Sequence, residues 1–413
     1  MDQSTQKNNI AKHDFDVLII GAGLVGASLA CALEKLVVDQ GLKVALVEPH
    51  DLQQARDVPP SFDARASALS WGTHCIYDQL NLWPSLESHA QPIEQVHVSD
   101  RGSFGVTRLR ANDEGLPALG YVVKNHVLGD VLLERLRDYQ KQNVLTLFSP
   151  DTVTALKPVA GGMKITLESS EITAALVVLA DGGRSGLMEQ LGISQTVTEY
   201  QQHGVIANIA LDLPHRGVAW ERFAGKGPMA LLPLTADEQF EHRVGLVWTV
   251  PDNEFEEIHG LSNQAFLDVL QARFGYRAGR FIAVGKRDSY PLTMKMASEQ
   301  VRPGLVVLGN AAHAIHPIAG QGYNLSIRDT MALADNIAAS FKAGMSVGNL
   351  NSLMRYQQQQ HGDQALTSQF CNGLVHLFSR TDRASVLARN LGLISLDYLH
   401  PVKSGFTRKA MGL

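Results

Sequence analysis

Six residues near the start of the chain, Gly21-Ala22-Gly23-Leu24-Val25-Gly26, have the types and spacing of a phosphate-binding turn. Gly21 permits a tight turn, Gly23 lets backbone approach a pyrophosphate, and Gly26 lets a helix pack closely on a strand. The helix that follows would offer free N–H groups and the positive end of its dipole to the anion. Glu48 lies about 20 residues further on, where an acid accepts hydrogen bonds from an adenosine ribose. Its charge would repel a ribose phosphate. This is dinucleotide-binding chemistry, and alone it does not separate NAD from FAD.

Two later clusters favour FAD. Asp181-Gly182-Gly183-Arg184-Ser185 is one, and Gly309-Asn310-Ala311-Ala312-His313 is the other. The second continues through His316-Pro317-Ile318-Ala319 to Gly320-Gln321-Gly322-Tyr323-Asn324-Leu325. Polar ends of three strands can line one extended cofactor, and the ribityl chain of FAD needs polar partners of its own. Gly320 and Gly322 would place bare N–H groups at a helix N-terminus. There they would stabilise negative charge on the pyrimidine ring of a reduced flavin.

The elements that must hold these clusters are legible around them. Asp16 to Ile20, Val44 to Val47, Leu176 to Ala180 and Leu305 to Leu308 are apolar runs of buried-strand type. Ala27 to Leu36, and the long amphipathic stretch reaching Ala339, have helical spacing. The expected fold class is α/β, a Rossmann-like FAD-binding domain assembled from residues 14–94, 111–190 and 291–345. Val205 to Leu213 and Val244 to Val250 are predicted strands, and Asn263 to Phe274 a predicted helix. They mark an inserted antiparallel substrate domain at 191–290, joined by the segment 95–110. Residues 346–413 read as a C-terminal helical tail.

The chain has 413 residues, 45% hydrophobic and 19% charged, with 36 glycines. Such a composition excludes a disordered chain, and a net charge of −5 argues against a nucleic-acid binder. Cys31, Cys75 and Cys371 share no metal-ligand spacing and form no closed disulfide set, so no metal is expected. The first fourteen residues read as a short flexible leader, and no stretch is long and apolar enough to span a membrane. Between Arg380 and Leu413, Arg380, Arg383, Arg389, Lys403, Arg408 and Lys409 outnumber Asp382 and Asp397. A basic amphipathic tail can rest on anionic lipid. The expectation is a cytoplasmic protein with a peripheral contact on the inner face of the plasma membrane.

The three clusters, in this order, resemble the aromatic-ring flavin monooxygenases of the para-hydroxybenzoate hydroxylase type, which are GR2-type flavoproteins. Gly309 to Asp329 is similar to the ubiquinone-biosynthesis hydroxylases. The run His316 to Gly322 looks most like the 2-polyprenyl-6-methoxyphenol hydroxylases. Phe62-Asp63-Ala64-Arg65-Ala66, Val96 to Gly102, Glu221-Arg222-Phe223 and Lys286 to Leu292 fit the same group. The resemblance implies FAD as cofactor, with NAD(P)H and O2 as co-substrates. It implies hydroxylation of the ring of a polyprenylated phenol through a flavin hydroperoxide, beside partners of the ubiquinone-biosynthesis complex. The chain carries a single dinucleotide fingerprint, which fits a nicotinamide donor that binds transiently.

Carried over residue by residue, the resemblance puts Glu48 at the ribose and Arg65 beside the flavin and its phosphates. Asp181 and Gly182 fall near the cofactor, and Pro317, Gly320, Gly322, Asn324 and Leu325 around the flavin ring. Asn310 stands where the superfamily usually has an aspartate at the ribityl chain, and an amide oxygen accepts that bond without charge assistance. Lys124-Asn125-His126 replaces an acid and an arginine, which puts the cofactor role of that position in doubt. His316 is the first candidate for a base that deprotonates the phenol, ahead of Tyr290 and His203. Trp220, Arg222, Phe223 and Tyr290 are candidates for substrate contact. The competing readings are a sister hydroxylase acting at another ring position, a flavoprotein dehydrogenase, and a non-catalytic FAD-binding subunit.

Overall fold

The structure, a computed structural model, describes residues 12–54, 65–224, 227–316, 318–379 and 382–413. Of the predicted features, most of the leader, Phe62-Asp63-Ala64, Pro317 and Arg380 lie outside them.

Strand Phe15–Ile20 sits inside an eight-stranded sheet, with Val17, Leu18 and Ile19 fully buried. Burial on both faces is why its sequence is an unbroken apolar run rather than an alternating one. It pairs in parallel with Val44–Val47 on one side and with Glu171–Leu179 on the other. Thr146–Phe148 and Leu305–Val307 extend the parallel set outward. The chain therefore leaves Phe15–Ile20 toward one side first and returns later on the other. The crevice at that reversal is where open α/β sheets bind ligands. Helices Leu24–Gln40, Asn125–Lys141 and Gln321–Lys342 cover one face, sharing a core that includes Leu29, Leu33, Leu132, Leu136, Leu333 and Ile337.

A nine-stranded sheet forms the second body. Its longest strand is Gln195–Leu211, flanked by Arg243–Pro251 and Asp288–Ala297. Helix Asn263–Phe274 has the expected ends, and the Ser262 hydroxyl at its N-cap accepts from the Ala265 N–H at 3.3 Å. It covers one face of this sheet, packing Phe266, Leu270 and Phe274 against Trp248, Val205 and Leu231. The other face looks toward the parallel sheet.

Two details differ from the sequence reading. The sheet is not antiparallel throughout, because Val218–Phe223 pairs in parallel with Gln95–Asp100. Strand Asp288–Ala297 also carries this sheet beyond residue 290, and the short strand His313–Ala314 is added at its edge.

Helices Leu350–Ser379, Arg383–Tyr398 and His400–Ala410 make up the C-terminal region. Helix Arg383–Tyr398 clips onto the hairpin formed by Gln95–Asp100 and Val106–Arg110. The Gly105 N–H donates to Asn390 Oδ1 at 2.6 Å, the Thr107 hydroxyl to the Leu393 carbonyl at 2.6 Å, and the Arg108 N–H to Asp397 Oδ1 at 2.8 Å. The Arg389 guanidinium meets the Asp100 carboxylate at 2.9 Å with both side chains buried. Farther along, the Gly72 N–H donates to the Met411 carbonyl at 2.8 Å.

Candidate active site

Between the two sheets and the C-terminal helices lies a cavity of about 1630 Å³. That exceeds the roughly 300–1,000 Å³ of ordinary small-ligand sites, so it has room for a long cofactor and a substrate together.

Two helix N-termini open into it. Helix Leu24–Gln40 starts at Gly23 and helix Gln321–Lys342 at Gly320, each without a capping side chain. Their first-turn N–H groups are left for an anion. Sequence dictates both starts. A Cβ on Gly26 would run into the Gly21 carbonyl oxygen, so only glycine lets the first helix approach its strand. Gly320 has φ +61, in the left-handed region that other residues seldom adopt.

Glu48 ends its strand with both carboxylate oxygens committed. One accepts from the Ala22 N–H at 2.7 Å and the other bonds to His50. Asp181 gathers its own loop, accepting from the N–H groups of Gly183, Arg184 and Ser185 at 2.8–3.2 Å. Asn310 is exposed at the cavity wall. The Arg65 guanidinium lies over the Tyr290 ring, 5.4 Å from its centroid.

Asn324 is engaged at both of its side-chain polar atoms. Its Oδ1 accepts from the Ser70 N–H and the Thr73 hydroxyl, both at 2.8 Å. Its Nδ2 donates to the carbonyls of Ala68 and Gly320, both at 2.9 Å. Asn324 thus ties strand Ala66–Ser70, which follows Arg65, to the turn before the long helix. It positions the cradle and has no amide hydrogen left to give a ligand. Deeper in, His313 Nε2 meets Asp329 Oδ2 at 2.6 Å, and Gln364 donates to that oxygen at 2.9 Å. This network fixes the Gly309 cluster to two helices.

Of the predicted residues, Gly23, Glu48, Arg65, Asp181, Gly182, Asn310, Gly320, Gly322, Asn324, Phe223 and Tyr290 line this one cavity, and Trp220 borders it while its side chain packs under the covering helix with Trp248 and Phe274. Gly21, Gly26 and the fully buried Leu325 stand behind its wall. Asn125, whose cofactor role the sequence left in doubt, is in the wall, its Oδ1 accepting from the Ser67 hydroxyl at 2.7 Å. Pro317 lies outside the described residues.

Three predicted residues are not brought to the cavity. Arg222 projects from the opposite face of its strand, donating to the Ser99 hydroxyl at 3.1 Å and lying over the Phe274 ring. His316 is buried behind the cradle. Its Nδ1 accepts from the Ile318 N–H at 3.2 Å, its ring meets Tyr200 edge-on, and burial pushes its pKa down to about 4. Its imidazole closes a turn and does not line the cavity. His203 is stacked on Phe255 and bonded to Asp252, away from the cavity.

A family model described as an FAD binding domain matches residues 14–361. The chain is 34% identical to the ubiquinone hydroxylase UbiL of Rhodospirillum rubrum, over 96% of this chain and 89% of that one. The chain belongs to the FAD-dependent hydroxylases of ubiquinone biosynthesis. The 3-demethoxyubiquinol 3-hydroxylase of Escherichia coli is another relative, 28% identical over 96% of this chain and 98% of its own. Among solved structures, the p-nitrophenol 4-monooxygenase PnpA of Pseudomonas putida shares the fold. Its TM-score is 0.76 at 18% identity, covering 96% of this chain and 98% of that one. PqsL of Pseudomonas aeruginosa does so with a TM-score of 0.74 at 20% identity, covering 92% and 99%.

As a member of these hydroxylases, the chain fits FAD with the groups it presents. Two uncapped helix ends face the cavity and would suit the anionic pyrophosphate and the flavin pyrimidine, and Glu48 in the same wall would suit a ribose. Part of the cavity wall is apolar: Val96, Val98, Phe223, Phe370, Leu374 and Leu393 line it, three of them from the C-terminal helices. Sequence reasoning missed this wall, because the tail reads only as amphipathic until its partner is known.

Proposed function

We propose that this hydroxylase acts on the aromatic ring of a polyprenylated phenol, 2-polyprenyl-6-methoxyphenol, using NAD(P)H and O2. One observation carries the reading: the FAD cradle and an apolar wall built partly by the C-terminal helices share a single cavity. A polar head ring belongs at their junction and an isoprenoid tail along the apolar wall.

Bound FAD supplies the redox and oxygen chemistry. The protein supplies the rest. The N–H groups after Gly23 and Gly320 hold anionic parts of the cofactor. The Asp181 loop and Asn310 offer acceptors and donors along its middle. Arg65, held over Tyr290, brings positive charge to the same wall. The C-terminal helices keep bulk water from the junction, which protects reactive species from wasteful decay.

No helix among the described residues is long and apolar enough to cross a membrane. A peripheral contact is supported by Leu387, Leu391, Tyr398 and Val402, exposed on the C-terminal helices, and by exposed Leu399 between two of them. Its charge basis is smaller than the sequence count. Arg389 is spent on Asp100, and Lys403 is buried against Asp113 at 3.3 Å.

The test is to purify the protein, record its flavin spectrum, and follow NAD(P)H and O2 consumption with a short-chain methoxyphenol. Mass spectrometry of the product reads the ring position. A protein that binds no FAD overturns the reading. Flavin reduction without any hydroxylated phenol replaces it with a dehydrogenase.

A further inference from the structure

Strand Val218–Phe223 turns Ala219, Glu221 and Phe223 toward the cavity and Arg222 toward the covering helix. Glu221 sits there among apolar neighbours. Its cross-strand partners are Ala230 and Val98. Phe223, one pleat further, packs with Ile318 and Cys371 at the turn that opens the flavin cradle. Among the described residues the Glu221 carboxyl has neither a hydrogen bond nor an ion pair. A carboxylate in apolar surroundings without a partner is costly, and stability alone gives no reason for it.

We propose that Glu221 is the catalytic residue that accepts the phenolic proton of the substrate, an inference that rests on the hydroxylase reading above. The carboxylate takes the proton from the hydroxyl oxygen while the electron pair left on oxygen enriches the ring. Glu221 becomes neutral and the phenol becomes a phenolate, the stronger nucleophile at its ring carbons. Burial pushes the Glu221 carboxyl up to about 7. That places it near working pH, where general base catalysis is most effective.

The charged and titratable groups around it leave this assignment open to Glu221. On strand Gln95–Asp100, Asp100 is paired with Arg389 of the C-terminal helices. Cys371, on helix Leu350–Ser379, is a thiol held neutral by burial, pushed up to about 12. Strand Pro228–Leu234 presents Ala230 and Leu232 to the cavity. The turn Ile318–Gly320 carries no ionisable side chain. Arg65 and Tyr290 line the same cavity and lie against each other.

The experiment uses the full FAD-loaded protein and a nitro-substituted methoxyphenol whose phenolate absorbs visible light. At pH 8 the Glu221 carboxylate disfavours a second negative charge beside it. Glu221→Gln should therefore bind more of this reporter as phenolate than the unaltered protein does. With the methoxyphenol substrate, kcat of the unaltered protein should rise through pH 7. Glu221→Gln should lose that limb and about 10²–10³ in kcat, with KM and FAD affinity little changed. Glu221→Asp, which keeps the charge on a shorter arm, should restore the limb at reduced kcat. Identical reporter titrations in the unaltered protein and Glu221→Gln, or an unchanged kcat profile, would overturn the assignment. A reporter that differs between them while no phenol is hydroxylated by either overturns the function proposed above and leaves Glu221 at the phenol. A reporter that does not enter the unaltered protein overturns both.

Discussion

The amide oxygen of Asn324 accepts a hydrogen bond from the Ser70 N–H at 2.8 Å, across 254 positions of sequence. This contact joins the strand after Arg65 to the start of the long helix. Asn324→Ala would leave the buried Ser70 N–H and the part-buried carbonyls of Ala68 and Gly320 without this partner. Each such group costs about 1–3 kcal/mol, so the variant should lose about 3 kcal/mol of stability and bind FAD more weakly. Urea denaturation without FAD and a flavin titration separate the two effects.

Gly322 should behave differently. A Cβ there meets only Ile315, at 3.4 Å, which is ordinary contact. Gly322→Val should therefore leave apo-protein melting almost unchanged while filling the cradle with a branched side chain. Loss of the yellow colour with a native apo-protein melt is the expected result. Retained colour means that the cradle lies elsewhere.

The Arg389–Asp100 pair is buried on both sides. Removing one partner of a buried pair leaves an uncompensated charge and costs about 3–5 kcal/mol. Arg389→Ala should release the C-terminal helices from the hairpin at Asp100, seen as new protease cleavage between residues 380 and 400. With the cavity wall open, NAD(P)H consumption should rise relative to hydroxylated product.

His316 gives the stability a pH dependence of known sign. Its folded pKa of about 4 lies below the ordinary 6.5, so the unfolded chain binds the extra proton first. The stabilisation is complete above pH 6.5 and is lost as pH falls toward 4. The slope approaches 1.4 kcal/mol per pH unit. Protonation would fall on Nδ1, which accepts from the Ile318 N–H. His316→Asn keeps an acceptor without titrating. The stability gap between the two proteins should narrow by about 2 kcal/mol from pH 7 to pH 5, measured by urea denaturation.

Leu387 and Leu391 are both about half exposed, one helical turn apart. Leu387→Glu with Leu391→Glu should reduce co-sedimentation with anionic vesicles. It should raise KM for a long-chain phenol delivered in those vesicles and leave KM for a water-soluble methoxyphenol unchanged. Equal vesicle binding by both proteins would exclude this face as a membrane contact.

Much of this was legible in the residues. A strand buried on both faces and followed by a glycine turn has a strong local signature, and so does the capped helix Asn263–Phe274. Direction was harder. The residues Trp220, Arg222 and Phe223 were singled out together, yet a strand sends neighbours to opposite faces. Alternation alone does not say which face meets the cofactor: Glu221 faces the cavity and Arg222 the covering helix. His316 follows the same logic, since adjacency to the cradle in sequence does not aim a ring into it. The parallel pairing of Gln95–Asp100 with Val218–Phe223 joins segments too distant for any local signal. The charge of the tail was overcounted for the same reason, because Arg389 meets Asp100 across 289 positions.

The order of the wall along the chain has a consequence for biogenesis. Residues Phe370 to Met411 are synthesised after every part of the dinucleotide fingerprint and after the whole substrate sheet. They add Phe370, Leu374 and Leu393 to the cavity wall and Arg389 to Asp100, so the site that the earlier elements begin is completed only by the last helices to emerge.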